Sequence, residues 1–581
     1  MTWWFTRSTR LASEKAVIAD LEASVDWLRI RKWHANAGLA MCVDFLIVNG
    51  DKEFVFQMIY PSVYPEAPPM IYTEDKSRIS LHQYSGEGEL CLEYRPDNWV
   101  SSITGADMIS SCQRLLSEER PDNDQILHAH SAHIASLGRD MRSKYFRFIV
   151  TESDINALNL LPGSEPISFG LRDRMVASVF VPTLSHLGSK DEPIWISDLV
   201  LPGGGSEHIG FAIRVAGGNN FGEMTLDELR IFLKDLDLIE LSSSLLDADS
   251  YEYLLVGDAG NWTLFCIYGE AQDRQVICYT TVQIPSEKQR LPDSFEILAD
   301  KKVGIVGCGS VGSKIAASLC RSGIGNFFLI DDDIFFPGNV VRNELDLNDT
   351  GAHKSYALRD RLLKINPKTD IKALRIALGG QESASSMAGA LESLGECDLL
   401  IDATAEPTAF NMIASVSRRK RKPMIWVEVF AGGIGGIVAR ARPDIDPVPL
   451  SARAQIEAWC NDQGVDWLRP VDVDRYDGRN GDGTPLIAED AEISIMAAHA
   501  ARFASDILAR PESSIFPRSA YIIGFSSDWL FKEPFDTRPI EFQKNGEWGD
   551  TIDTLDPAAV TKLLKEHLPS KEDTDATTVT K

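Results

Sequence analysis

Three glycines and two cysteines carry most of the chemistry this chain could perform. Gly307, Gly309 and Gly312 follow the apolar run at residues 303–306. Glycines so spaced let the backbone turn tightly and approach phosphate, and they let the next helix pack closely with its N-terminus toward negative charge. Asp331 ends the following apolar run, at a distance that suits a ribose hydroxyl. The glycine pattern alone serves a dehydrogenase equally well. The polar residues beyond Asp331 favour triphosphate chemistry. Asn339, Arg342 and Lys354 supply an amide and two cations able to neutralise departing pyrophosphate, and Asp402 can hold Mg²⁺ through oxygen. Singly, each would more often be a surface residue; their succession carries the reading. Cys91 and Cys460 are the candidate nucleophiles, because a thiolate takes up an acyl group and its thioester stays reactive toward a second thiol. An alternative stays open for Cys460: a core cysteine on a short amphipathic helix. Cys308, inside the glycine turn, reads as packing.

Positioning these groups takes several folded units, as expected for 581 residues. Residues 1–145 read as α+β. A helical pattern covers 11–30, alternating strands cover 41–48 and 53–60, a proline-rich connection runs over 64–69, and a helix returns near 106–116. Residues 146–295 mix strands and helices into a linker domain with no chemistry to single out; the triple glycine at 203–205 reads as an ordinary turn. Residues 296–535 follow a βαβ pattern that predicts a parallel, Rossmann-like sheet, with strands at 397–402 and 424–429 after the first two. Residues 442–486 are too long and polar for a simple connection and form a candidate functional insertion. Residues 536–581 are a C-terminal extension whose charged tail, from about 570, predicts disorder. The basic run 418–422 reads as a solvated loop before a strand, and the histidines 128, 130 and 133 as surface or capping residues, since carboxylates at metal-site spacing are lacking.

Two resemblances sharpen this. Asp331, Asn339, Arg342, Gly351, Lys354, the Ile365-Asn366-Pro367 run and Asp402-Ala403-Thr404 resemble the adenylation domain of ubiquitin-activating enzymes and their bacterial ThiF/MoeB-type relatives, over about residues 296–535. The resemblance implies ATP-dependent activation of a protein C-terminal carboxylate as an acyl adenylate, with pyrophosphate released. It implies that Gly309 and its loop approach phosphate, Asp331 binds ribose, Asn339, Arg342 and Lys354 contact phosphates, and Asp402 organises Mg²⁺. In conjugating relatives a cysteine then takes the acyl group; Cys460 is the only cysteine after Asp402, although its context is Ala458-Trp459-Cys460-Asn461 in place of Pro-Cys-Thr.

The second resemblance is to ubiquitin-conjugating enzymes, over about residues 15–145. It rests on Tyr64-Pro65-Glu66-Ala67-Pro68-Pro69, on His82 nine residues before Cys91, and on Trp99 eight after it. It implies that Cys91 receives the acyl group by thioester exchange and passes it to a lysine amine. The family's His-Pro-Asn is His82-Gln83-Tyr84 here, which leaves the asparagine's work to Asn98 or a backbone N–H and makes His82 structural rather than a general base.

Together the two resemble the bacterial fusion enzyme of cyclic-oligonucleotide anti-phage systems, which implies a relay from ATP through Cys460 and Cys91 to an amine. The implied donor is a cyclic-nucleotide synthase (CD-NTase), the acceptor a target protein, and the enzyme a homodimer. A sulfur-carrier adenylyltransferase would need no Cys91, a dehydrogenase would need neither Arg342 nor Lys354, and a non-catalytic scaffold would turn over no ATP. The net charge of −27 argues against nucleic acid and anionic membrane as partners. The chain has no 18-residue apolar run and no evident secretory signal. Its nine cysteines are scattered, so no disulfide framework or zinc site is expected and a reducing cytoplasm fits best.

Overall fold

The computed structural model describes all residues except 1, 78, 81, 84–87, 120–136, 164, 200, 216–220, 222–223, 249, 271–272, 285–290, 466–486, 551–555 and 568–581. The three histidines near residue 130, much of the 442–486 insertion and the charged tail therefore lie outside it. The chain divides into two compact units, Met1–Lys144 and Tyr145–Lys581.

The first unit joins helix α1 (Ser8–Ser24) to an antiparallel meander of β1 (Leu28–Ala35), β2 (Met41–Asn49), β3 (Lys52–Ile59) and β4 (Met70–Thr73), closed by α2 (Gly105–Glu119). The helical pattern expected through residue 30 stops at Ser24, because Leu28 and Ile30 pair with Ile47 and Phe45 of β2. Leu28, Phe45, Ile47, Phe56 and Met58 meet Ile109, Cys112 and Leu116 in one core. Buried Glu14 ties the layers together. Its carboxylate accepts from the hydroxyls of Tyr60 (3.0 Å) and Tyr64 (2.5 Å) and from the N–H of Gly105 (2.8 Å), and it pairs with Arg10 at 2.9 Å. A buried carboxylate survives only when its oxygens are satisfied this fully.

In the second unit, residues 147–283 form a closed sheet. Its strands are β5 (Arg147–Val150), β6 (Ile167–Asp173), β7 (Thr183–Gly188), β8 (Pro193–Ile196), β9 (Ser206–Arg214), β10 (Glu252–Asp258), β11 (Asn261–Tyr268) and β12 (Gln275–Gln283). They run in the order β8-β7-β5-β12-β11-β10-β9-β6, and β6 also pairs with β7, which closes a seven-stranded ring. Helices α3 (Glu152–Asn159), α4 (Leu226–Asp235) and α5 (Ile239–Leu246) accompany it. The mixed linker expected here is thus mainly a β-structure. Its strands alternate: Leu255, Leu264 and Cys266 face one core, while Leu254, Phe265 and Ile267 face the other with Leu229 and Leu233 of α4.

The rest of this unit holds a second eight-stranded sheet. It comprises β13 (Lys302–Val306), β14 (Asn326–Ile330), β15 (Asp370–Leu374), β16 (Leu399–Asp402), β17 (Met424–Val429), β18 (Gly435–Ala441), β19 (Ala520–Gly524) and β20 (Thr537–Ile540), ordered β15-β14-β13-β16-β17-β18-β19-β20. The first five are parallel and the last three antiparallel. The third strand of this sheet in chain order is β15 rather than 397–402. It lies at the sheet edge, where Asp370 and Lys372 interrupt the apolar signal. The boundary expected after residue 535 cuts between β19 and β20, which pair.

Both faces are covered, as parallel sheets require. Val303, Ile305, Phe327 and Leu329 pack with α6 (Ser310–Arg321), α7 (Lys354–Ile365) and α11 (Asp490–Ala509). Val306, Phe328, Ile330 and Leu400 pack with α8 (Ala384–Gly395), α9 (Pro407–Lys420) and α10 (Pro449–Asp462). The basic run is not a free loop: Arg418 to Lys420 finish α9, and Arg418, Arg419 and Arg421 bind Gly549 O, Asp550 and Trp548 O.

Candidate active sites

The glycine turn sits at the C-terminal edge of β13, between β14 and β16. Gly307 donates to Ile330 O (2.9 Å), and Ala403 donates to Val306 O (2.9 Å). Gly307 adopts φ 88°, and a Cβ there would stand 2.9 Å from the Ala403 backbone. A Cβ on Gly312 would fall 1.8 Å from Gly307 O, so only glycine lets α6 approach the strand. A Cβ on Gly309 would meet nothing within 4 Å. Two glycines therefore close the turn, and the third leaves open space at the start of α6, where backbone N–H groups favour an anion.

Asp331 latches this turn. Its carboxylate accepts from the N–H of Cys308 at 2.6 Å and of Asp333 at 2.9 Å. Burial raises its pKa, against which these two N–H groups and Lys354 act. Lys354, the first residue of α7, is buried and donates to Asp333 Oδ2 at 2.5 Å. Asn339 Oδ1 accepts from Phe336 N (2.9 Å) and so orders its own loop. That loop docks on α6, because Glu344 N donates to Ser313 Oγ at 3.2 Å. Arg342, two residues before this anchor, is half-buried, has no acid beside it among the described residues, and burial alone lowers its pKa. A half-desolvated guanidinium without a counter-charge is a site for an anion. Cys308 is packing: burial pushes its thiol well up, with Asp331 adding and Lys354 opposing.

Asp402 ends β16, and its Oδ1 accepts from Thr404 N (3.0 Å) and Thr404 Oγ1 (2.7 Å). Burial raises it to about 6, against the Thr404 hydrogen bonds and nearby Arg453. Among the described residues no cluster of three metal-ligating side chains forms. Asp402 could offer one oxygen to Mg²⁺, the remainder having to come from bound phosphates and water, which is this ion's habit.

Cys460 needs a correction. It lies on α10 with none of its surface exposed, packed with Ala452, Ile456, Trp426 and Ile437. Burial pushes its thiol to about 11, and Glu457 adds to this. A covered, protonated thiol is a packing group, which is the alternative the amphipathic helix left open.

In the first unit Cys91 is partly exposed, and its N–H donates to His82 O at 2.7 Å. Trp99 Nε1 donates to Pro65 O (2.7 Å), and Tyr64 is held by Glu14, so the 64–69 stretch is fastened at its N-terminal end. Gln83 orders the approach to Cys91: its Oε1 accepts from Ile79 N (2.9 Å) and its Nε2 donates to Ser77 O (2.9 Å). Asn98 spends its amide locally, accepting from Arg95 N (2.7 Å) and donating to Glu93 O (2.8 Å). Sequence reasoning missed Arg95, whose Nη1 stands 3.7 Å from Cys91 Sγ. Only its position four residues after the cysteine, in a turn rich in polar residues, hinted at it.

Residues 287–447 match the ThiF family. The uncharacterized protein y4qC of Sinorhizobium fredii is 24% identical over 71% of this chain and 77% of its own length. The ATP-dependent ubiquitin transferase-like protein Cap2 of Escherichia coli is 30% identical over 24% of this chain and 23% of its own. Ubiquitin-like modifier-activating enzyme 5 of Caenorhabditis briggsae is 30% identical over 23% of this chain and 32% of its own. Of seven other curated relatives, including these two, the chain spans only about a fifth to a third of the length. Over residues 287–447 the chain is thus similar to the ThiF family, and in part to the Cap2 transferase-like proteins and to a ubiquitin-like modifier-activating enzyme.

Proposed function

We propose that this chain activates the C-terminal carboxylate of a protein with ATP and ligates it to an amine through Cys91. The observation that carries this reading is Arg342, half-buried and without a counter-charge among the described residues, on a loop docked to the first turn of α6 beside the open face of Gly309. Triphosphate would lie along that face, with Arg342, Lys354 and Asn339 toward phosphates, Asp331 toward ribose, and Asp402 giving Mg²⁺ an oxygen. When bound, Mg²⁺ would offset phosphate charge. A carboxylate oxygen attacks the α-phosphorus, the bond to pyrophosphate breaks, and Arg342 and Lys354 balance the charge that leaves. The Cys91 thiolate then displaces AMP from the acyl carbon. An amine displaces Cys91 in turn and forms the amide. Holding both steps on one chain raises the effective concentration of the second.

This relay does not use Cys460. As the resemblance to the bacterial fusion enzyme implies, the donor is a cyclic-nucleotide synthase with a free C-terminus, the setting is anti-phage defence in a bacterial cytoplasm, and the enzyme is a homodimer. The test is ATP–pyrophosphate exchange with a candidate nucleotidyltransferase as donor. Wild type should exchange label, and Arg342→Ala should lose about 10²-fold or more while keeping its melting temperature. Exchange by Arg342→Ala at the wild-type rate would remove the arginine from the site. No exchange in wild type with any C-terminal carboxylate would overturn the reading.

A further inference from the structure

We propose that Arg95 is the oxyanion donor for acyl transfer at Cys91. This rests on Cys91 being the acyl-carrying thiol. The sequence lacks the asparagine expected two residues after His82, and of the two substitutes offered by the sequence, Asn98 or a backbone N–H, Asn98 has both ends of its amide engaged by Arg95 N and Glu93 O. The group that reaches the sulfur is a guanidinium. Arg95 Nη1 stands 3.7 Å from Cys91 Sγ, and its side chain is only 8% exposed.

The arginine is held in place from several sides. Its backbone N–H is fixed by Asn98 Oδ1 at 2.7 Å, and its carbonyl accepts from Asn98 N at 3.1 Å. Its Nη2 reaches Asp97 Oδ2 at 3.4 Å. Glu93, the other acid of the turn, is paired with Arg114. A planar, permanently charged donor on a turn pinned by one asparagine is preorganised, the property that makes an oxyanion donor effective.

The step balances without any further reactant. The amine nitrogen attacks the carbonyl carbon of the Cys91 thioester, a C–N bond forms, and the carbonyl π electrons move to oxygen. That oxygen is two bonds from Sγ, within reach of the guanidinium that already touches the sulfur. Arg95 donates a hydrogen bond to it and stays protonated. The intermediate collapses, the C–S bond breaks, Cys91 leaves as thiolate, and the ammonium proton passes to water.

The experiment bypasses ATP, so it separates this proposal from the adenylation reading. The full chain is loaded at Cys91 by exchange with the thiobenzyl ester of a fluorescent, glycine-terminated peptide, and the thioester is discharged to free lysine in a single turnover. Arg95→Ala should discharge about 10²-fold more slowly than wild type, with Arg95→Lys recovering part of the loss. Alkylation of unloaded Cys91 by iodoacetamide should show a folded, accessible loop in both variants. Discharge by Arg95→Ala within about threefold of wild type overturns the proposal. So does a fall in discharge matched by an equal fall in alkylation, which marks a loop-holding residue. Failure of wild-type Cys91 to load overturns the thiol assignment and this proposal with it.

Discussion

At the scale of single residues, the chain shows which features of a site can be read from spacing and which need the fold. Gly307 and Gly312 were legible, because a strand, a tight turn and a helix in close contact leave glycine as the only residue that fits. The structure supplies the reason in distances: a Cβ at 312 would fall 1.8 Å from Gly307 O. Gly312→Ala should therefore push α6 off β13, lower stability by about 1–3 kcal/mol as an overpacked contact does, and raise the KM for ATP. Chemical denaturation and pyrophosphate exchange measure the two effects; a variant of unchanged stability would contradict the close approach. Arg95 was not legible, since its worth lies in a 3.7 Å contact with Cys91 that no motif records. Nor was the ion pair between Lys354 and Asp333, which fixes a cation expected to lie ready for phosphate. The fate of Cys460 was ambiguous for a physical reason: the same amphipathic helix can show a cysteine to solvent or to the core, and only the partner surface decides.

At the scale of elements, the parallel strands β13, β14, β16 and β17 announced themselves as apolar runs because both of their faces are buried. Edge and late elements did not. β15 is broken by charges, and β20 follows a stretch that reads as an extension. The closed β-ring of 147–283 was invisible, because pairs such as Phe169 with Leu187 or Gly210 with Tyr253 depend on partners that local pattern cannot supply. Two charge groups brace the second sheet, one fully buried and one partly exposed. Arg440 and Asp506 meet at 2.9 Å with both side chains fully covered, and Arg440 lies over the rings of Phe503 and Phe516. Glu428 on β17 meets Arg453 of α10 at 3.2 Å. Burial lifts Glu428 from its ordinary 4.5 to about 7, with Arg453 opposing and Asp402 and Glu457 adding. A raised carboxyl pKa means that the folded state binds the proton more tightly. Its contribution to stability is complete below pH 4.5 and is lost as pH rises through about 7. Glu428→Gln should thus flatten the stability profile across that window, by at most about 3 kcal/mol at 1.36 kcal/mol per pKa unit. Melting curves at pH 5 and pH 8 check this, and an unchanged pH dependence would show that Glu428 is ionised throughout.

At the scale of the whole molecule, the chain joins a region that matches the ThiF family to an N-terminal unit with a partly exposed cysteine, Cys91. Among the described residues, no helix is long and apolar enough to cross a membrane. Each half of the proposed chemistry lacks something the other provides: an adenylate needs a thiol acceptor, and Cys91 needs an activated acyl group. The central claim is that the acyl group crosses from one to the other without Cys460. The direct measurement is a non-reducing gel of the full chain with ATP, Mg²⁺ and a candidate nucleotidyltransferase donor, run for wild type, Cys91→Ala and Cys460→Ala. The relay predicts an ATP-dependent, thiol-sensitive adduct in wild type and in Cys460→Ala, and none in Cys91→Ala. An adduct that persists in Cys91→Ala and vanishes in Cys460→Ala would contradict it.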